Sequence, residues 1–399
     1  MAESILDRTG NLFDLYRHVC GESEVPPVYN FWSCVAGISA ALSDHCWVEL
    51  IRNIPLKPNL FIGFIGPGSL GKGIAMSNIA DLVKDSIGDD LKTYRGKVTA
   101  PHLVDVLGKP YKVKGVKHLA NPRCWLIMDE LKNGVGSNKI LTEEFIALMT
   151  EVYTGSHYPI QTGTRQHGQV TIDKSCVSWL FGSNEAWLRQ VLSKDIFESG
   201  FVARCCFVKA NYDIDHRVFE PIYPDDHEEV YDHLRSRFWA LHQGYKGCFN
   251  ILPRAKEALE KWYYGRPAPE DEMLYSVWYR QKELVMRFAL IQCVADGGTM
   301  DIDKPHVTKA VAMVNQIFSF AERLIESAAE TFESKITNEV AKVLRKQVAM
   351  KHCDLLKYLN SRRGYTRKRV VDAVTELKES NLIETKRSPT GGLVYIWRK

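Results

Sequence analysis

A lysine that follows a glycine-rich turn is the clearest chemical feature of this sequence. Gly66, Gly71 and Lys72 have the spacing Gly, four residues, Gly-Lys that is typical of phosphate-binding loops. The apolar run 61–65 predicts a strand before the turn, and the apolar spacing after residue 73 predicts a helix. Backbone N–H groups of such a turn converge on one concave surface, and the helix N-terminus adds partial positive charge. The segment therefore predicts a polyphosphate site in which Lys72 neutralises the outer oxygens.

Two acids close a second apolar run farther along the chain. Residues 122–128 read as a strand, and Asp129 and Glu130 follow it. In ATPases with such a loop, the first acid holds Mg²⁺ and the second can polarise the attacking water as a general base. A tight turn and a solvated strand end are the alternative, but they do not explain why both features follow buried-type strands in this order. The glycine-rich loop and the two acids together predict ATP as the ligand and Mg²⁺ as the cofactor.

One position departs from the phosphate-loop pattern. Gly73 stands where a Ser or Thr hydroxyl would bind magnesium. Water can replace that ligand, so we expect nucleotide binding to survive with slower or weaker hydrolysis. A protein that binds nucleotide but hardly hydrolyses it is therefore one alternative.

Composition indicates a globular protein of two or three domains. Of the 399 residues, 45% are hydrophobic and 25% charged, which excludes a disordered chain. No apolar run approaches the roughly twenty residues that cross a bilayer, and the acidic start 1–7 has no secretory pattern. The ten cysteines form no CxxC pair, so we expect reduced thiols and no zinc site. These features predict a cytoplasmic protein without membrane contact.

Charge is distributed unevenly along the chain. Residues 335–399 hold sixteen Lys or Arg against six Asp or Glu, a net charge of +10, so residues 1–334 carry −6 of the total of +4. A basic end on a mildly acidic body predicts a polyanionic partner.

Strand and helix patterns alternate through the middle of the chain, which predicts an α/β fold with a parallel sheet flanked by helices. Separate helices are predicted at 305–330 and 334–347. The last residues show the order helix, helix, helix, hairpin that is typical of a winged helix. The predicted domains are an N-terminal helical segment 1–57, an ATPase core 58–215, a helical lid or connector 216–330, and a basic winged-helix domain 331–399.

The order of these features resembles the ring-forming AAA+ ATPases. A phosphate loop, an Asp-Glu strand, a polar hairpin at 153–175, a strand ending in Asn184 and an arginine before the strand 205–208 follow one another. The resemblance is nearest to the helicase domain of phage, plasmid and mobile-element replication proteins, including the minichromosome-maintenance-like helicases. It covers roughly residues 25–295, and a winged-helix end is also common among such proteins.

The resemblance implies a role for each matching residue. Glu130 would be the catalytic base, Asn184 would orient the attacking water, and Arg204 would reach the nucleotide of a neighbouring subunit. Arg280, with Arg287 as competitor, would be a second sensor of the nucleotide. Asn184 could instead cap the next helix, and the arginines could be ordinary surface cations. The residues implied to hold the nucleotide are Gly66, Gly68, Ser69, Gly71, Lys72 and Gly73, with Asp129 for the metal.

Two regions are candidates for DNA contact. In ring helicases a hairpin projects into the central channel, where cations grip backbone phosphates without reading sequence. A second such loop would be 111–117, with its three lysines. The run 362–369 has five cations where a winged helix begins its recognition helix, with Thr366 as N-cap. That end could instead dock a protein. The candidate residues are Arg165, His167, Lys174, Arg362, Arg363, Arg367, Lys368, Arg369, Lys386 and Arg387.

The sequence thus predicts an ATP-dependent DNA helicase or translocase for phage or mobile-element replication. It would act as a homo-oligomeric ring, a hexamer, on single-stranded or duplex DNA, with primase activity supplied by a separate replication protein. Two alternatives stay open: an ATP-dependent replication initiator or helicase loader, and a hydrolysis-poor, nucleotide-gated DNA-binding protein.

Overall fold

The structure is a computed structural model. It describes residues 10–108, 111–113, 116–118, 122–132, 139–155, 160–164, 168–191, 200–213, 215–347, 349–363, 365–388 and 391–398. The chain divides into two compact units, one ending at Glu322 and the other comprising Arg323–Lys399. The sequence had placed its last domain boundary eight residues later, between 330 and 331.

The elements of the described residues are as follows. The helices are α1 (Leu12–Cys20), α2 (Pro27–Leu42), α3 (Lys72–Ile87), α4 (Ala100–Gly108), α5 (Lys139–Thr154), α6 (Glu185–Val191), α7 (His227–Gly244), α8 (Pro253–Gly265), α9 (Tyr275–Ala295), α10 (Lys304–Gln347), α11 (His352–Arg363) and α12 (Arg367–Glu379). The strands are β1 (Cys46–Ile51), β2 (Ile54–Leu56), β3 (Phe61–Ile65), β4 (Thr93–Arg95), β5 (Tyr111–Val113), β6 (Val116–His118), β7 (Arg123–Met128), β8 (Ile160–Thr164), β9 (Gly168–Ile172), β10 (Cys176–Ser183), β11 (Cys205–Lys209), β12 (Gly247–Ile251), β13 (Asp301–Ile302), β14 (Ala349–Lys351), β15 (Ile383–Arg387) and β16 (Leu393–Trp397).

A five-stranded, all-parallel sheet forms the centre of the first unit. Its strand order is β11-β3-β10-β7-β4, and every residue of β3 and β10 is buried. Helices cover both faces: Ser178 of β10 contacts Ser39 of α2, while its neighbour Trp179 packs on Phe145 of α5. Burial on both faces explains why these strands read as continuous apolar runs in the sequence. The predicted parallel α/β sheet is confirmed.

A second, four-stranded sheet was only partly predicted. Its order is β13-β12-β1-β2, and of its strands the sequence indicates only β1, which it predicts as a short strand over 47–51. The helices α1 and α2 share one hydrophobic core with the parallel sheet, α3 and α9.

The predicted helices of the lid region are present as α7 to α10, with β12 and β13 between them. The predicted break near residue 331 was wrong, because no glycine or proline follows Pro305 within α10 and the helix continues to Gln347.

Two antiparallel hairpins leave the parallel sheet between its strands. The pair β5–β6 lies between β4 and β7 in the chain, and β8–β9 lies between β7 and β10. The second is the predicted polar hairpin. Arg165 and His167, which come between β8 and β9 in the sequence, lie outside the described residues.

The second unit has its own small core. Leu355, Leu359, Val374 and Leu377 from α11 and α12 share one buried cluster with Tyr395 of β16. Its antiparallel sheet has the order β14-β16-β15. The short strand β14, which precedes α11, was not predicted, whereas the two helices and the final hairpin were.

All ten cysteines are free, as predicted, and eight of them are buried. No helix within the described ranges combines the length and the apolar composition needed to cross a bilayer.

Candidate nucleotide-binding site

Three strands of the parallel sheet end at one edge, and the predicted site residues follow them there. Ser183 of β10 is paired with Ile65 of β3, and Phe181 is paired with Met128 of β7. The glycine-rich loop after β3 and the acids after β7 therefore share the carboxyl edge of the sheet, with β10 between them. Crevices at this edge are where open α/β sheets bind ligands.

The loop from residue 66 to 71 packs closely against the end of β10 and against Tyr29 of α2. The Gly66 N–H donates to the Ser183 carbonyl at 3.2 Å. A Cβ at Gly66 would lie 2.6 Å from the Tyr29 hydroxyl, which itself donates to the Ile65 carbonyl at 2.8 Å. Gly71 precedes α3 with φ 73°, a left-handed conformation that glycine adopts without strain. These two glycines are needed for the loop to hold its shape.

Lys72 lies folded into this loop. Its Nζ donates to the carbonyls of Gly66 and Pro67, at 2.8 and 2.6 Å, and the residue is buried. Burial lowers the pKa of the lysine, and the nearby carboxylate of Glu130 raises it again in part. The ammonium group is thus held at the loop by weak carbonyl partners that a phosphate oxygen could replace.

The outer side of the loop is open. A Cβ built on Gly68 or on Gly73 meets no heavy atom within 4 Å. Ser69 also has a positive φ, 61°, within the same turn. The first turn of α3 is therefore accessible, and its N–H groups and partial positive charge suit an anion.

A cavity of about 540 Å³ lies beside the loop. Its lining comes from Ser69 and Leu70 of the loop, from Glu24 and the segment 26–28, and from Tyr212 and His216. The Tyr212 hydroxyl donates to the Gly68 carbonyl. Sequence reasoning missed this cavity, because its walls come from three separate parts of the chain.

Asp129 and Glu130 stand at the end of β7. The Asp129 side chain is exposed, and Glu130 is half-buried. Gly182 of β10 allows the strands to approach, since a Cβ there would lie 2.3 Å from the Asp129 carbonyl oxygen. The acids are therefore placed by close backbone packing against β10.

One residue at this edge was not predicted. Arg95 ends β4, and its Nη2 donates to Ser77 Oγ of α3 at 2.7 Å and to Asp129 Oδ1 at 3.3 Å. Ser77 Oγ in turn donates to the Gly73 carbonyl at 2.7 Å. The signal for Arg95 was a cation ending a short strand beside β7, which becomes visible only once the strand pairing is known.

Asn184 follows β10 and caps α6. Its Oδ1 accepts from the Trp187 N–H at 2.8 Å, the capping role that the sequence had left as an alternative. The cap uses only the carboxamide oxygen. A water-orienting role would therefore fall to the amide nitrogen.

Arg204 lies at the opposite edge of the sheet from the loop. It directly precedes β11, whose first residue, Cys205, is paired with Phe61 at the start of β3. Its Nη1 donates to the Gly200 carbonyl at 2.7 Å. Burial lowers the pKa of Arg204 to about 10, and the nearby charge of Arg280 contributes. Arg204 is thus about 15 Å, the length of a five-residue strand, from its own loop.

The two candidates for a second sensor differ in burial. Arg280 is partly exposed, pairs with Glu283 at 3.2 Å and lies close to Arg204. Arg287 is buried, donates to the carbonyls of Lys57 and Asn59, and stacks on the Tyr153 ring. Arg287 therefore holds the segment that leads into β3.

The predicted DNA-contact residues are placed as follows. Lys174 is exposed after β9, and its carbonyl accepts from Lys57 Nζ at 2.8 Å. Thr366 precedes α12 as predicted, without a side-chain capping bond. Exposed or partly exposed cations of the second unit lie in the first turn of α12 (Arg367, Lys368 and Arg369) and at the end of β15 (Lys386 and Arg387). Arg362 and Arg363 end α11, where only the backbone is described.

The acids fit magnesium in ligand type, since Mg²⁺ prefers carboxylate oxygen, phosphate oxygen and water. Within the described part of the chain, no cluster of three His, Cys, Asp or Glu side chains could hold a metal by itself. Few protein ligands are usual for magnesium that arrives with a nucleotide, because phosphate oxygens and water complete its shell. The donor set therefore suits a nucleotide-bound ion rather than a metal site of the protein alone.

Comparison with known proteins leaves the family of this chain open. No protein-family model matches the sequence, and no curated protein matches it significantly. What the chain does therefore has to be inferred from its own residues and their geometry.

Proposed function

We propose that this chain is an ATPase that binds ATP at the carboxyl edge of its parallel sheet. The observation that carries the proposal is the position of β10 between β3 and β7. Strands two places apart are separated by about 10 Å, which leaves width for a terminal phosphate and a water between the Lys72 loop and the acids. Both sides of the gap carry the groups that phosphoryl transfer needs.

The roles of the residues follow from their chemistry. Lys72 exchanges its two carbonyl partners for phosphate oxygens, and the N-terminus of α3 adds positive charge. Magnesium bound beside Asp129 would neutralise charge on the phosphates. Glu130 accepts a proton from the attacking water, and the amide of Asn184 orients that water. The cavity beside the loop accommodates the nucleoside half, with Tyr212 next to it.

Two substitutions test the ATPase. Lys72→Ala should raise the Kd for ATP at least about tenfold, because charge-assisted hydrogen bonds are lost. Glu130→Gln should leave that Kd nearly unchanged and lower kcat by about 10²- to 10⁴-fold, the range for a lost general base. Lys84→Ala, an exposed lysine on the same helix, is the matched control. Unchanged ATP affinity in Lys72→Ala would falsify the site.

A hydrolysis-poor protein is the rival that Gly73 motivates. Steady-state turnover with and without single-stranded DNA decides between them. Absent turnover, together with no effect of Glu130→Gln, would leave a nucleotide-gated binding protein.

We infer further that hydrolysis drives movement along DNA in an oligomeric ring that serves phage or mobile-element replication. Three observations support this. The second unit exposes cations on α12 and β15, two hairpins leave the sheet between its strands, and Arg204 lies at the other end of the strands from the loop of its own chain. An initiator or helicase loader would share these features but would not displace a strand from forked DNA. A strand-displacement assay on a fork separates the two.

A further inference from the structure

Arg95 joins the two halves of the proposed site. One guanidinium nitrogen bonds Ser77 on α3 and Asp129 at the end of β7, at 2.7 and 3.3 Å. Ser77 lies one turn after Gly73 and bonds its carbonyl. A positive charge therefore lies between α3 and the carboxylate expected to face the metal.

The pair is not there mainly for stability. The side chain of Arg95 is 44% exposed and that of Asp129 53% exposed. Ion pairs this accessible contribute little to folding and exchange readily with solvent or ligands. The position of Arg95 and Asp129 beside the loop points instead to a role in ligand binding.

The same region lacks the hydroxyl that would give magnesium a protein ligand. Gly73 occupies that position, although a side chain there would have open space. The chain thus has one metal ligand fewer and one cation more than the phosphate-loop pattern supplies.

We propose that Arg95 makes nucleotide binding at this site only weakly dependent on magnesium. This inference rests on the proposed ATPase function. Arg95 acts in two ways, and both make ATP binding less dependent on Mg²⁺. It competes with Mg²⁺ for the Asp129 carboxylate and repels the ion, and it supplies positive charge to the phosphates when no metal is bound.

The test measures one ratio, the Kd for ATP in EDTA divided by the Kd for ATP in excess Mg²⁺, by titration calorimetry. Arg95→Ala should raise this ratio by about tenfold, the size of one partly screened charge interaction. Arg95→Lys keeps the charge and should stay within about threefold of the wild type. Gly73→Thr should raise the ratio by adding a metal ligand.

Arg235→Ala is the matched control. Arg235 is 45% exposed and pairs with Asp232 at 3.0 Å on α7, so the substitution breaks an equally accessible ion pair. It should leave the ratio unchanged. Circular dichroism of each variant confirms that the fold is retained.

The outcomes separate this inference from the function on which it rests. If ATP binds in a Lys72-dependent manner but Arg95→Ala leaves the ratio unchanged or lowers it, the role of Arg95 is overturned and the ATP site stands. If the wild type binds no ATP in either buffer, both proposals fall. A ratio that rises in Arg95→Ala and not in Arg235→Ala supports the role of Arg95.

Discussion

Gly66 of the loop and Gly73 of α3 differ in what a larger side chain would meet. At Gly66 a Cβ would press on the Tyr29 hydroxyl and on Leu70, at 2.6 and 2.9 Å. At Gly73 it would meet open space. The departure from the hydroxyl pattern is therefore not imposed by packing.

Gly73→Thr should raise ATP turnover several-fold. The added hydroxyl can bind magnesium, and a Cβ at this position meets no heavy atom within 4 Å. Gly73→Ala separates the hydroxyl from the general benefit of replacing glycine in a helix, about 0.5–1 kcal/mol of stability. Both variants should gain stability, but only the threonine should gain turnover. Equal turnover in the two would show that the missing hydroxyl does not limit the rate.

At the scale of elements, the glycines of β3 and β10 show how the acids are placed. A Cβ on Gly182 of β10 would collide with the backbone of Asp129 at 2.3 Å. A Cβ on Gly63 of β3 would instead meet the Phe181 ring, at 2.6 Å, inside the core. A side chain at Gly182 would therefore disturb the candidate site, whereas a side chain at Gly63 would disturb the packing of the core.

Gly182→Ala should therefore lower kcat at least about tenfold by shifting the end of β7, since misplacements near 1 Å cost about that much or more. Gly63→Ala should lower the free energy of unfolding by about 1–3 kcal/mol, the usual cost of overpacking, with a smaller loss of kcat. Chemical denaturation and steady-state ATPase assays measure the two effects. The contrary result would be equal losses of kcat in the two variants.

How far each element could be predicted depends on what stabilises it. The strand β3, the helix α3 and the strand β7 carry their signal locally, as apolar runs bounded by glycine or acids. The strands β12 and β13 do not, because β12 buries only Phe249, β13 has only two residues, and both form by pairing with remote segments, Cys46 with Gly247 for instance. The sequence did not predict Arg95 as a site residue for the same reason, since its position beside Asp129 follows from the pairing of β4 with β7.

Site residues whose side chains already have structural partners were the hardest to assign. The sequence predicts Asn184 as a sensor with capping as the alternative, and the structure shows that it caps α6. Arg287 reads as a surface cation, yet it is buried and holds the chain before β3. The sequence gives the charge of such a residue but not its burial, and burial depends on contacts with remote segments.

At the scale of the whole molecule, charge is concentrated in the second unit. Residues 335–399 carry +10, and the first turn of α12 exposes Arg367 and Lys368. Replacing both with alanine should weaken DNA binding and reduce the slope of log K against log salt by about 0.9 for each lost duplex phosphate contact. Lys378→Ala, at the other end of the same helix, is the control. A salt slope that Arg367→Ala/Lys368→Ala does not change would place the DNA elsewhere.

The distance between Arg204 and its own loop makes a prediction about assembly. If Arg204 completes the site of a neighbouring subunit, Lys72→Ala and Arg204→Ala should each abolish turnover alone and restore it when mixed. Each interface that joins the intact Lys72 of one subunit to the intact Arg204 of the next is active. In a random one-to-one mixture with head-to-tail interfaces, roughly a quarter of the interfaces qualify.

Turnover in the mixture should therefore approach a quarter of the wild-type value, whereas each variant alone shows almost none. The measurement is ATPase activity after the two variants are unfolded and refolded together, with light scattering to show that oligomers form. Lys72→Ala mixed with Lys72→Ala/Arg204→Ala is the control, because no interface in it has an intact Lys72. Turnover no higher than the sum of the separate variants, in mixed oligomers of normal size, would mean that Arg204 serves its own chain or only the fold.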